Sequence, residues 1–283
     1  MSLQDTKQAI KHQLSSLYDA LEINSMINII IEEVTGWDAL HQNIHKNDAL
    51  DQSQTEQLEY YVKQLLTGKP LQYIIEKAWF MGKVYFVNEA VLIPRPETEE
   101  LVEWIIEYAQ IINKPLSMID IGTGSGCIPI SLKLAIPNAN LTAIDISKEA
   151  LAIAQKNAAS YHTDIEWIEQ DILQTKQLKD QYDIIVSNPP YIPLREKVAM
   201  QKQVADHEPE IALFVPDQFP LIFYSKIAHI GKSALKTNGQ LFFEIHYDQG
   251  DAIIALLDEM GYHAELRQDI YGKDRMVRAS LKN

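Results

Sequence analysis

The stretch "MIDIGTGSGCI", residues 118–128, decides the fold class of this chain. An apolar run ending at Ile121 is followed by three glycines at alternate positions, Gly122, Gly124 and Gly126, and then by "CIPISLKLAI" (127–136) at helical spacing. A strand that passes through a glycine turn into a helix is the opening unit of an α/β sheet. Downstream the alternation continues. "NLTAIDI" (140–146) reads as a strand and "SKEALAIAQKNAASY" (147–161) as a helix with Ser147 as its N-cap. "IEWIEQ" (165–170) and "YDIIVS" (182–187) read as two more strands. "FPLIFYSKIAHIGKSALKT" (219–237) is expected to be a helix ending at Asn238-Gly239, with "QLFFEI" (240–245) the strand behind it. "DQGDAIIALLDEMG" (248–261) predicts a last helix. "HAELRQ" (263–268) and "RMVRASL" (275–281) are joined by a short loop, so they are expected to pair antiparallel at one edge. The sum is a doubly wound, mostly parallel, Rossmann-like sheet.

Upstream the text is different. In "IKHQLSSLYDALEINSMINIIIEEVTG" (10–36) apolar residues recur every three or four positions, at Leu14, Leu17, Leu21, Ile27, Ile30, Ile31 and Val34. "DQSQTEQLEYYVKQLLTG" (51–68) repeats the pattern and stops at Gly68, ahead of Pro70. Residues 1–75 are therefore expected to form a small helical bundle, either a stabilising appendage or a docking module. "AWFMGKVYFVNEAVLI" (78–93) is aromatic and β-branched, with turn residues at Gly82 and Asn88-Glu89. It predicts a β-hairpin linker over 76–95. A helix then opens near Pro96, with acids in its first turn, and begins the third region, 96–283.

Composition narrows the function. Of 283 residues, 46% are apolar and 23% charged, a soluble globular mix. One cysteine excludes a disulfide framework and a thiolate metal cluster, and the histidines show no metal-ligand spacing. No run has the length of a membrane span, and "MSLQDTKQAI" is too polar for a signal peptide, so a cytoplasmic protein is expected. The net charge of −14, without a basic cluster, disfavours nucleic-acid binding.

The glycines of "GTGSG" alternate strictly, unlike the dinucleotide fingerprint G-x-G-x-x-G. They let the backbone approach a ligand without interposed Cβ atoms. Asp145 ends the second strand, where an acid can accept from both ribose hydroxyls. Asp171 follows the third strand, placed to accept from an adenine amino group, with Ile172 offering an apolar face to the base. Asp120 precedes the loop, to organise it or to face the cofactor's amino-acid portion. Each acid alone reads as a solvated strand end. Several of them at the carboxyl ends of successive parallel strands mark the ligand rim and fit S-adenosylmethionine better than NAD.

The strand "YDIIVS" ends in Asn188-Pro189-Pro190-Tyr191. Residues before proline are pushed toward extended geometry, so this turn is stiff, and neither proline offers an N–H. What remains are acceptors, the Asn188 side-chain oxygen and the Pro189 carbonyl. Two acceptors suit a planar NH2 group, and Tyr191 adds a flat ring. The knot reads as a clamp for an amide or amino group beside a cofactor. His246 and Cys127 read as packed residues.

Here the sequence resembles the HemK/PrmC family of class I S-adenosylmethionine-dependent methyltransferases. "GKPLQYI", "LIPRPETEELVEW", "DIGTGSGCI", "AIDIS", "NPPYI", "HEPEIAL" and "DIYGKDR" stand in the family's order. "NPPY" alone is shared with amino methyltransferases of nucleic-acid bases; the arginine-proline and acidic-proline segments make the resemblance specific. Glu76-Lys77-Ala78 stands where the family often has a glycine, and "FVPDQFPL" lacks a glycine pair common there. The resemblance implies a seven-stranded sheet and transfer of a methyl group to the side-chain amide nitrogen (N5) of a glutamine, in a GGQ-type motif of class I peptide chain release factors. It implies Gly122, Thr123, Gly124, Ser125 and Gly126 as the cofactor loop, Asp145 on the ribose, Asp171 and Ile172 at the adenine, and Asn188, Pro189, Pro190 and Tyr191 on the substrate amide. A folded protein substrate that must reach the rim favours a monomer. The rivals are a base amino methyltransferase, a non-catalytic scaffold with a cofactor fold, and a nicotinamide dehydrogenase.

Overall fold

In a computed structural model of the chain, which describes residues 1–112, 114–200 and 202–282, the residues gather into two compact units. One comprises Met1–Lys77 and Gln201–His207, the other Ala78–Met200 and Glu208–Asn283.

The first unit begins with α1 (Leu3–Leu14), α2 (Ala20–Thr35), α3 (Ala39–Ile44), α4 (Gln52–Leu65) and the single turn α5 (Leu71–Ile74). Its helix starts are written in polar residues. Ser2 and Asp5 form a reciprocal capping box on α1, Asp51 and Gln54 another on α4, and Asp19 caps α2 through two backbone N–H groups. Ile10, Leu14, Ile23, Ile27, Ile30, Leu58, Val62 and Leu65 bury against one another. The expected run of apolar spacing from 10 to 36 breaks in two, because Asp19 starts a new helix. Leu17 and Leu21, assigned by period to the core, lie at that break and are exposed.

The second unit opens with the hairpin β1 (Lys77–Phe80) and β2 (Lys83–Phe86), turning at Met81 and Gly82, both at positive φ. Then follow α6 (Pro96–Ile112), β3 (Ser117–Ile121), α7 (Cys127–Ala135), β4 (Asn140–Asp145), α8 (Lys148–Ser160), β5 (Glu166–Glu169) and β6 (Tyr182–Ser187). A short segment holds β7 (Ile192–Pro193), a 3-10 turn (Leu194–Ala199), α10 (Glu210–Leu213) and β8 (Phe214–Val215); between the turn and α10, α9 (Lys202–His207) belongs to the first unit. The chain closes with α11 (Ile222–Ala234), β9 (Leu235–Glu244), α12 (Gly250–Glu259), β10 (Tyr262–Gln268) and β11 (Asp274–Leu281). Seven strands form one sheet in the order β10-β11-β9-β6-β3-β4-β5. β5, β4, β3, β6 and β9 run parallel to one another; β11 is antiparallel to both β9 and β10. This is the class I methyltransferase sheet, with the antiparallel pair at the expected edge.

Alternation along the strands divides the core in two. Met118, Leu141, Ile184, Val186 and Phe242 face one side, under Leu101, Ile105, Ile128 and Leu132. Ile119, Ile121, Ile144, Ile185 and Phe243 face the other, under Tyr224, Ile227, Ile253 and Leu257. The central strand β6 is buried along its whole length. Its carboxyl end, with those of β3 and β4, therefore stands fixed at one rim.

One helix end differs from expectation. α11 stops at Ala234, and β9 starts at Leu235, which pairs with Tyr182. Asn238, at φ +64°, and Gly239 do not cap the helix; they kink the opening of the strand where its register with β6 shifts. The paired small β7 and β8 were not foreseen, because two-residue strands carry no period.

Candidate active site

The rim site is built on the glycine loop. Gly122, Gly124 and Gly126 all have positive φ, between +53° and +78°, a region that L side chains rarely adopt. Gly126 has a second constraint: a Cβ there would meet the Ala154 Cβ at 3.0 Å and the Ile130 Cδ1 at 3.1 Å. At Gly122 and Gly124 a Cβ would meet nothing within 4 Å. Gly126 therefore lets α7 pack on α8, while Gly122 and Gly124 leave the loop open toward a cavity.

That cavity is lined by Gly122, Gly124, Asp145, Asp171, Ile172, Asn188, Pro189 and Pro190 among the sequence-derived candidates. Ala90, Val91 and Leu92 line it as well, with Ile211, Ala212 and Phe223. None of these six was singled out as a site residue from sequence; isolated apolar side chains, three in irregular chain and three on α10 and α11, read as packing and not as a motif. Thr123, Ser125 and Asp120 are buried against the loop and do not line the cavity.

Asp145 accepts from the Gly124 N–H at 2.9 Å on Oδ2 and from the Ser147 N–H at 2.9 Å on Oδ1. Each oxygen keeps a lone pair for a further donor. Burial raises its pKa, against those backbone bonds. Asp171 accepts from the Leu173 N–H at 2.8 Å, which holds Ile172 between them at the cavity wall.

Asp120 is fully buried, and neither of its oxygens has a hydrogen-bond partner among the described residues. The hydroxyls of Thr123 and Ser125 are also buried and unpaired among these residues. Burial pushes Asp120 up to about 7; the nearby Thr123 hydroxyl, outside hydrogen-bond geometry, lowers it a little and the Asp145 charge raises it. An unpaired carboxylate buried behind the loop is costly unless it takes a proton or a cation comes near it. A ligand with a positively charged amino-acid portion fits a carboxylate placed behind the loop. Between the unfolded value, 3.8, and about 7, the folded chain holds a proton that the unfolded chain has lost. Stability from this group is thus greatest at low pH and falls as pH rises through about 7. Asp120→Asn is expected to stabilise the ligand-free protein by ~2 kcal/mol more at pH 8 than at pH 5. Urea unfolding at the two pH values checks this, and equal midpoints for both chains at pH 8 would refute it.

The Asn188 knot is tied from behind. Its Nδ2 donates to the Thr98 Oγ1 at 3.1 Å, and the Thr98 hydroxyl donates to the Glu244 Oε2 at 2.6 Å. Tyr191 was expected to offer its ring to a planar substrate. It stands outside the cavity lining instead, packs on the core below, and donates its hydroxyl to the Glu244 Oε1 at 3.3 Å. The ring turns inward because a buried carboxylate is there to accept its hydroxyl's hydrogen bond. Thr98 and Glu244 were missed from sequence. The usable signal was an acid inside the apolar strand "LFFEI", since a buried charge needs partners. His246 bonds Asp248 and tilts against the Tyr191 ring at 5.8 Å. The buried Cys127 thiol is pushed up to about 12, as expected of a packed residue.

Two family models match the chain: a PrmC N-terminal domain over residues 8–75 and a methyltransferase small domain over residues 108–207. A release factor glutamine methyltransferase from Flavobacterium psychrophilum is 44% identical, covering 100% of both chains. The chain belongs to the release factor glutamine methyltransferase family. Another member, from Bacteroides thetaiotaomicron, is 40% identical over 96% of this chain and 97% of its own. A solved methyltransferase from Pyrococcus furiosus, 14% identical with a TM-score of 0.52, covers 77% of this chain and 95% of that one, and shares the fold.

Two segments that carried the resemblance to release factor glutamine methyltransferases meet in space. Arg95, of "IPRPE", pairs through Nη2 with the Glu208 Oε1 of "HEPE" at 2.5 Å. The other Glu208 oxygen accepts from the Ile93 N–H at 3.2 Å. The Glu208 side chain is 1% exposed and that of Arg95 32%. Pro209, beside Glu208, lines the cavity. Glu208→Ala strands the Ile93 N–H and one side of Arg95. A loss of about 2 kcal/mol in unfolding free energy is expected, below that of a fully buried pair because Arg95 regains water. A urea midpoint unchanged from wild type would contradict it.

The third such segment, "DIYGKDR", closes on Asp269. That residue accepts from the N–H groups of Tyr271 and Lys273 and from the Arg275 Nε at 3.3 Å. Ile270 and Tyr271 are left exposed at the tip.

Proposed function

We propose that this protein transfers a methyl group from S-adenosylmethionine to the side-chain amide nitrogen (N5) of a glutamine in class I peptide chain release factors. The observation that carries this reading is the shared cavity: the Asn188-Pro189-Pro190 acceptors and the Gly122, Gly124 and Asp145 loop line one space. When bound, S-adenosylmethionine supplies a methyl group already activated on a sulfonium.

The chain's own residues have three tasks. Asp145, Asp171 and Ile172 hold the nucleoside, Gly122 and Gly124 face its amino-acid end, and Asp120, Thr123, Ser125 and Gly126 support the loop from behind. Asn188 Oδ1 and the Pro189 carbonyl accept from the two amide hydrogens of the glutamine. A carboxamide nitrogen is a poor nucleophile, because its lone pair is delocalised into the carbonyl. Two acceptors on its hydrogens orient that nitrogen and favour the positive charge that grows on it. Pro190 keeps the turn stiff, and Tyr191 anchors it to the protein. One proton must leave the nitrogen after the new N–C bond forms; the clamp contains no strong base, so it passes to water or to a neighbouring group. Among the described residues no group of three or more His, Cys, Asp or Glu is placed to hold a metal ion.

We further assign the 1–75 helical region to docking the protein substrate, and read the chain as a cytoplasmic monomer that does not bind nucleic acid directly. No helix among the described residues is long and apolar enough to cross a membrane, and the net charge of −14 opposes phosphate binding. The test is direct. The protein is incubated with labelled S-adenosylmethionine and purified release factor, or with DNA or RNA, and the modified residue is mapped by mass spectrometry. Label on a glutamine amide of the release factor is expected. Label on a base alone would overturn the assignment.

A further inference from the structure

We propose that Glu244 is a positioning residue which, acting through Thr98, decides which end of the Asn188 amide faces the substrate. The inference rests on the reading above, in which Asn188 accepts from a substrate NH2.

The argument is one of hydrogen-bond polarity. Burial pushes Glu244 up to about 7, so above that pH, where the variants are compared, it is ionised, and an ionised carboxylate can only accept. Glu244 is 1% exposed, and both of its oxygens are engaged, by the hydroxyls of Thr98 and Tyr191. The Thr98 hydroxyl has a single proton, and at 2.6 Å that proton is committed to Glu244. Toward Asn188, Thr98 Oγ1 then presents lone pairs alone. Only the NH2 end of the Asn188 amide can meet them, and it does so at 3.1 Å. The carbonyl end is thereby turned the other way, on a residue that lines the cavity. Without this chain an asparagine amide could present either end, and half of its choices would place a donor against a donor.

Glu244 also holds the far end of the knot directly, through Tyr191. One carboxylate therefore fixes both the first and the fourth residue of Asn188-Pro189-Pro190-Tyr191. Its own position is set by the middle of the sheet: Glu244 ends β9, pairs with Met276 on β11, and its main-chain carbonyl accepts from the Tyr224 hydroxyl at 3.0 Å. Thr98 is brought to it by the first turn of α6, 146 residues away in sequence. A buried carboxylate kept for packing alone is costly, since an apolar residue of the same size is often as stable or more so. A role in orienting Asn188 accounts for its presence.

The experiment compares Thr98→Val, Thr98→Ser and Glu244→Gln with wild type in the full-length protein. Release factor methylation is measured at saturating S-adenosylmethionine, and S-adenosylhomocysteine affinity by calorimetry. Valine keeps the shape of threonine and removes the hydroxyl. It is expected to lower kcat on the order of tenfold to a hundredfold, with cofactor affinity and release factor KM within about threefold of wild type. Serine restores the hydroxyl and is expected to restore most of kcat. Glutamine at 244 places a donor where only acceptors stood, and a fall in kcat of about tenfold is expected. If Thr98→Val does not fold, the Glu244→Gln kcat decides alone. Wild-type kcat in Thr98→Val, or in Glu244→Gln, overturns the proposal, as does an equal loss in the valine and serine variants. A wild-type protein that methylates no release factor glutamine would instead overturn the reading of function, so the two failures are distinct.

Discussion

Asn188→Ala is expected to lower kcat for release factor methylation by roughly a hundred- to a thousandfold, while S-adenosylhomocysteine affinity stays within a few-fold of wild type. The substitution removes the side-chain acceptor that orients the amide nitrogen, in a cavity where water is a poor substitute. It also frees Thr98 Oγ1, which loses the Asn188 Nδ2 donor at 3.1 Å. The main chain of the knot should survive, because Pro189 and Pro190 hold it extended and Tyr191 remains bonded to Glu244. The loss is therefore expected in turnover and not in folding. Single-turnover kinetics with preloaded cofactor separate the two. A kcat near wild type would mean that the Pro189 carbonyl alone orients the substrate, and the two-acceptor clamp would be wrong.

Asp145→Ala is expected to show the opposite profile. The Kd for S-adenosylmethionine should rise by about a hundredfold, from the loss of two hydrogen bonds to a charged group. The arithmetic follows from the lone pairs. One on each oxygen is spent on the backbone, at Gly124 and Ser147. One on each remains, matched to a pair of neighbouring hydroxyls. Alanine also releases the Gly124 N–H, so the glycine loop loosens at its centre. At saturating cofactor, kcat should stay within a few-fold, because the substrate clamp is untouched. Calorimetry with wild-type affinity in Asp145→Ala would show that the ribose is held elsewhere.

The rim was readable because strand ends announce themselves. β3, β4 and β6 are short apolar runs, and each stops at a residue that apolar packing cannot explain: a glycine, an aspartate, an asparagine before proline. What could not be read is what lies behind them. Thr98 reads as one more polar residue in an acidic helix start, and Glu244 as a single acid in a strand. Their bond spans 146 residues and leaves no local spacing to find. The same limit explains Arg95 and Glu208, which were seen as motifs but not as partners. It explains Tyr191 too: the choice between a ring offered to substrate and a hydroxyl turned to Glu244 depends on what stands across the sheet. The misjudged end of α11 has a related cause. Asn238-Gly239 is a common helix stop, and here pairing of Leu235 with Tyr182 claims the residues before it.

The sequence by itself determined the α/β class, the order of strands and helices, the glycine loop and the set of polar residues at the strand ends. Those follow from period, turn chemistry and side-chain size, which act between near neighbours. Only the tertiary structure decided how those residues are aimed. Sheet pairing brings β9 beside β6 and lays the start of α6 over both, so that a buried carboxylate, a hydroxyl and an amide come within hydrogen-bond reach. The direction of each proton in that chain is fixed by distance between groups remote in sequence, and distance is what a linear pattern does not contain.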